Sequence, residues 1–154
     1  MKSTITKYGV YGFLTGLVIF SVHLLFGIKY LSSSANEILG YLSILISLSF
    51  IFFGIKHYRD NVSSGVISIT KAILIGLLIS LIVGFGIAIT DFMYTKFIDP
   101  SFFTNYEQNL INQGRSDEII KMTSTSAALF MLVLVTVIGF IISLISALIL
   151  QRKK

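Results

Sequence analysis

The chain has 154 residues, of which 55% are hydrophobic and only 12% charged, and its formal net charge is +5. Ordinary soluble domains carry about 25% charged residues, so the composition excludes a water-covered globule. It also argues against a nucleic-acid-binding surface, because the cations flank apolar runs instead of clustering on one face. The absence of cysteine excludes disulfides, iron–sulfur clusters and thiolate zinc sites.

The first apolar run spans Tyr8 to Leu31, with Lys7 before it and Lys29 near its end. Small residues at Ser33, Ser34 and Ala35 resemble a signal-cleavage site, but the run is far longer than the 7–15 residues of a signal core. A span that stays in the protein is expected. Ser32 to Glu37 forms a short connection that folds the second run, Ile38 to Ile55, back against the first. At about 1.5 Å per residue, a bilayer core needs about 20 residues. The second run is marginal by that measure unless Lys56 snorkels to the interface.

The next connection reads Lys56-His57-Tyr58-Arg59-Asp60-Asn61, then Ser63-Ser64-Gly65. Both Asp60-Asn61 and Ser63-Ser64-Gly65 are turn chemistry. Its plain reading is topogenic charge. The sharper one is a contact site for anionic lipid headgroups or a partner, made by Lys56, Tyr58, Arg59 and Asp60. The third run is Ala72 to Met93. After it, Asp99-Pro100 predicts a helix start, with Phe102, Phe103, Tyr106 and Leu110 at helical spacing and Gly114 as the stop. The pattern is that of an amphipathic helix, lying on the outer membrane surface or capping the bundle. Ser116-Asp117-Glu118 then predicts the cap of a last helix, about Thr123 to Leu150, closed by Gln151-Arg152-Lys153-Lys154.

All four runs are apolar all round, as in membrane spans. Basic residues alternate between connections. Lys2, Lys7, Lys56, Arg59, Lys71, Arg152, Lys153 and Lys154 fall on one side, against Lys29, Lys96, Arg115 and Lys121 on the other. Six of the seven acids, Glu37, Asp91, Asp99, Glu107, Asp117 and Glu118, fall with the smaller group; Asp60 does not. The positive-inside rule then puts both termini in the cytoplasm. The expected fold is all-α: a polytopic membrane protein, one domain over 1–154. Four transmembrane helices (about 8–31, 38–55, 72–93 and 123–150) form an antiparallel bundle, with a short extracytoplasmic amphipathic helix between the third and fourth.

Helices in lipid join through small residues and hydrogen bonds. The contact faces are expected at Gly12 and Gly16, at Gly40, Ser43, Ser47 and Gly54, at Ala72, Gly76, Ser80, Gly84 and Ala88, and at Gly139, Ser143 and Ala147. Gly12 and Gly16 form a GxxxG, which offers homo-oligomerisation as an alternative.

His23 is the ionisable residue well inside a span, and such groups are functional hypotheses by default. Its depth is similar to that of Asp91 at the end of the third run, so His23 and Asp91 are a candidate intramembrane polar pair. No catalytic motif, cofactor motif or metal-ligand spacing occurs, so an enzyme is not expected and no cofactor is called. A transporter or channel subunit would need a polar path near His23, Ser43, Ser47, Ser80 and Ser143.

The stretch Phe52-Phe53-Gly54-Ile55-Lys56-His57-Tyr58-Arg59-Asp60-Asn61, with Gly65, Ile67-Ser68-Ile69, Lys71-Ala72 and Gly76, resembles domain-of-unknown-function family 4199, four-span bacterial membrane proteins met mostly in Bacteroidota. Tyr94-Thr95-Lys96-Phe97-Ile98-Asp99-Pro100-Ser101-Phe102 also looks like it. Ile69 stands where the family is expected to carry an aromatic. The resemblance implies four spans and the inner membrane of a Gram-negative bacterium, and it transfers no activity and no catalytic residue. The expected partners are the lipid bilayer, anionic headgroups, a further copy of the chain or another membrane protein, and no nucleic acid.

Overall fold

The computed structural model describes residues 1–27 and 30–151, the side chains of residues 33 and 34 apart. Lys29, Arg152, Lys153 and Lys154, used above to assign sides, lie outside the described residues. Every long described element is helical. Helix α1 is Lys2–Val22, continued by a π turn over His23–Gly27. It begins six residues before the expected span, because Thr4 and Ile5 are already buried and Ile5 donates to the Met1 carbonyl at 3.1 Å.

Helices α2, Ser33–Leu48, and α3, Phe50–His57, are divided only at Ser49. There the Ser49 hydroxyl donates to the Ile46 carbonyl at 2.7 Å, a back-bond that bends helices. A π turn at Tyr58–Val62 continues α3, closed by Ser63 N–H donating to the Tyr58 carbonyl at 2.9 Å. Asp60 and Asn61 therefore sit inside this helical turn, and the chain reverses only at Ser63–Gly65. Ser64 and Gly65 take positive φ there, 52° and 81°. The apolar stretch Ala35–Val62 is 28 residues long, so the second run is not marginal.

Helix α4 is Ile69–Met93, capped by the Ser68 hydroxyl and extended by a π turn over Tyr94–Ile98. Helix α5 is Phe102–Asn112. It starts later than Asp99-Pro100 predicts. The Asp99 carboxylate does not cap the backbone; it accepts from the Ser101 hydroxyl at 2.7 Å. At its end Gly114 has φ +72°, and Arg115 N–H reaches back to the Leu110 carbonyl at 2.9 Å, the Schellman closure that glycine permits.

Helix α6 is Ser124–Leu150. Its cap is not Ser116-Asp117-Glu118, which forms a separate 3-10 turn. Thr123 and Ser126 instead make a reciprocal capping box, Ser126 N–H to Thr123 Oγ1 at 3.2 Å and Thr123 N–H to Ser126 Oγ at 2.8 Å. Glu118 is held by Arg115, with Nη2–Oε2 at 2.6 Å. Among the described residues, four segments are long and apolar enough to cross a membrane: Lys2–Gly27, Ala35–Val62, Ile69–Ile98 and Ser124–Leu150.

Helix α4 is the centre of the packing, with α6 and α1 on it as its largest contacts. Ile75, Ile79, Val83 and Ile87 on α4 are fully buried, as are Leu48, Ile51 and Ile55 on α2 and α3. The expected small-residue faces are contacts. A methyl built at Gly76 would collide with Ser143, and one at Gly139 with Ser80. Both serine hydroxyls are satisfied within their own helices, Ser143 by the Gly139 carbonyl at 2.6 Å and Ser80 by that of Leu77 at 2.8 Å. Gly12 lies against Val83 and the Ser47 carbonyl, and Gly16 against Ser47 and Ile87, so the GxxxG of α1 makes contacts within the chain. Outward, Leu14, Val18, Phe85, Val133, Ile141, Leu148 and Ile149 are exposed. An apolar surface of this extent has no place in water.

Candidate functional site

A cavity of about 660 Å³ opens where the C-terminal ends of α1 and α4 meet the N-terminal parts of α2 and α6. It therefore sits at the end of the helices away from both chain termini. Helix α5 adds Phe102, Asn105, Tyr106 and Asn109 to its lining. These four stand at i, i+3, i+4 and i+7, one face of a helix. Phe102 is fixed edge-on against Tyr94 at the end of α4, with ring centroids 6.0 Å apart.

His23 lines this cavity from α1 and Asp91 lines it from α4. The shared depth expected of them is therefore a shared cavity, but they do not bond to each other. Among the described residues, neither ring nitrogen of His23 has a hydrogen-bond partner, nor has Asp91 Oδ2 or Asn36 Oδ1. Asp91 is only 9% exposed. Buried polar groups in proteins are nearly always hydrogen-bonded, and each exception calls for an explanation. Four unpartnered buried atoms thus belong to three residues that line one cavity.

The imidazole has room because two glycines flank it. A methyl at Gly27 would lie 2.7 Å from His23 Cδ2, and one at Gly40 3.5 Å from Cε1. Phe20 covers another side, with its ring 5.9 Å from that of His23. Glu37 and Asp99 bring two further carboxylates, and no lysine or arginine occurs among the described lining residues. Among the described residues no group of three or more His, Asp or Glu is placed to hold a metal ion.

Sequence reasoning singled out His23 and Asp91 but not Asn36, Glu37, Asp99, Asn105 or Asn109. The signal was present in α5, where the two asparagines share a face with Phe102 and Tyr106. The aromatic spacing alone suggested a membrane anchor.

The second candidate cluster lies at the opposite end. Arg59 is half-buried and pairs with the Asp60 carboxylate through Nε, at 2.6 Å, and through Nη2, at 3.2 Å. Its Nη1 donates to the Leu150 carbonyl at 3.4 Å, closing the C-terminus of α6, where cations are favoured. Tyr58 is half-buried against the core, and Lys56 is exposed. The guanidinium thus joins α3 to α6. Ser43, Ser47, Ser80 and Ser143 are buried at helix contacts, and none lines the cavity.

Four apolar helices of spanning length around a buried core define a multi-pass membrane protein. The sequence model described as "Protein of unknown function (DUF4199)" matches residues 7–152, nearly the whole chain, and the chain belongs to that family. No curated protein and no solved structure matches it.

Proposed function

We propose that the protein is a non-enzymatic integral component of a bacterial inner membrane, an antiparallel four-helix bundle whose working part is the cavity beneath α5. Both termini are cytoplasmic and the cavity faces outward. The observation that carries this reading is that His23, Asn36 and Asp91, each with an unpartnered buried polar atom, line one open space, while the rest of the helix contacts are apolar or self-satisfied. Such groups, when not structural, mark a place where something binds.

The charge bias supports the orientation. Helix α5 lies across the outer end as an amphipathic cover, with Leu110 turned inward and buried. The exposed Lys56 at the inner end suits anionic headgroups or a membrane partner. A transport role would need a polar path from the cavity to the inner end, and the packed serines give no support to one.

Single cysteines test the orientation cleanly, because the chain has none of its own. With Gln108→Cys the residue reacts with a membrane-impermeant maleimide added to intact spheroplasts, and with Ser63→Cys it reacts only after lysis. The reverse pattern overturns the reading.

A further inference from the structure

We infer that the outer cavity binds a small organic cation, an amine or quaternary ammonium, with Asp91 as its counter-ion. This rests on the reading of that cavity as the working part of the protein and names the chemistry it takes.

Three carboxylates, Glu37, Asp91 and Asp99, line the space with no described lysine or arginine among them. Arg115 lies within electrostatic reach of Glu37, but its guanidinium is held by Glu118 at 2.8 and 2.6 Å. The Lys96 ammonium is engaged elsewhere, 5.0 Å from the centre of the Phe92 ring.

Asp91 is 9% exposed, and its Oδ2 has no partner. A buried carboxylate without a partner is costly, and a cation bound beside it offsets part of that cost.

Size and wall chemistry then separate the kinds of cation. A space of about 660 Å³ is far larger than a bare metal ion needs, and no described cluster has metal-ligand geometry. Aromatic rings at Phe20, Phe102 and Tyr106 line the same space. Ring faces attract ammonium groups, most strongly where water is excluded. Carboxylate, carboxamide and aromatic groups together form a lining suited to an organic ammonium.

The test uses the full chain in an uncharged maltoside detergent, with phenyltrimethylammonium as probe and titration calorimetry as readout. The expected result is saturable binding of one probe per chain, weakened at least tenfold by Asp91→Asn and unchanged by Asp117→Asn, which lies outside the cavity. Benzenesulfonate, of similar size and opposite charge, does not bind. Should Asp91→Asn not fold, Glu37→Gln at the exposed rim takes its place, with a loss of about threefold or more expected for removing a nearby charge. Absence of saturable binding, equal affinity in the Asp91 and Glu37 variants, or equal binding of benzenesulfonate overturns the inference. So does displacement of the probe by equimolar potassium or magnesium, which would make this an inorganic-cation site. Detergent solution has no sides, so a wrong orientation leaves this result untouched, and a failed titration leaves the cysteine-labelling pattern untouched.

Discussion

Two charged side chains at opposite ends of the helices have opposite fates. Arg59 has its charge answered on every side, by Asp60 and by the Leu150 carbonyl, whereas Asp91 has Oδ2 unanswered. The difference has a measurable consequence. Replacing Arg59 by alanine removes the tie between α3 and the end of α6. We expect it to lower stability by about 1–3 kcal/mol, the cost of a hydrogen bond to a charged group, read as the loss of melting temperature in detergent. Replacing Asp91 by asparagine removes a buried charge and is expected to leave the melting temperature unchanged or raise it. An Asp91→Asn protein much less stable than the parent would mean that the carboxylate has a structural partner. Glu118 gives a pH prediction. Its hydrogen bond to Arg115 holds its carboxyl below the ordinary value of 4.5. A depressed carboxyl contributes its ion pair fully above that ordinary value and loses it as pH falls through the lowered one. Carboxyl carbon NMR should follow Glu118 titrating below free glutamate, and Arg115→Ala should return it to the ordinary range.

At the scale of elements, close approach between α4 and α6 depends on Gly76 and Gly139, each opposite a serine of the other helix. Gly139→Leu is therefore expected to force the helices apart and cost about 1–3 kcal/mol or more by overpacking, whereas Gly65→Ala, where nothing lies within 4 Å, strains only the backbone at φ +81°. Comparable losses for the two would contradict this packing. Thr123→Ala should cost about 0.5–2 kcal/mol through the lost capping box, and Asp117→Ala almost nothing, in thermal unfolding. These elements show what the sequence discloses. The small-residue row from Ala72 to Ala88 was legible because period-four spacing survives any tertiary arrangement. The cap of α6 was not, because Ser116-Asp117-Glu118 and Thr123-x-x-Ser126 both look like starts, and only the Arg115 pairing of Glu118 decides between them. The π turns at Tyr58–Val62 and Tyr94–Ile98 were also illegible, since one extra residue in a helical turn leaves composition unaltered. They carry α3 and α4 further than hydropathy suggests. The cavity was half legible: a single sequence can match His23 with Asp91 in depth, but it cannot disclose that α5 folds over them.

Over the whole molecule, apolar surface decides where the chain resides, and polar convergence marks the site proposed above. The outer faces of α1, α4 and α6 present exposed Leu, Val, Ile and Phe along their length, so removal of detergent or lipid should aggregate the protein. The buried polar side chains left with unpartnered atoms, His23, Asn36 and Asp91, gather at one place, the end remote from both termini. Two properties are proposed for this place: it is open to the outside, and it takes a cation. Asn109, on the exposed face of α5 and in the lining of the cavity, reports on both. With Asn109→Cys as the sole cysteine, an impermeant maleimide added to intact spheroplasts should label the protein, and phenyltrimethylammonium should slow that labelling while benzenesulfonate does not. Labelling that needs broken membranes, or that proceeds at the same rate with the cation present, would contradict the account.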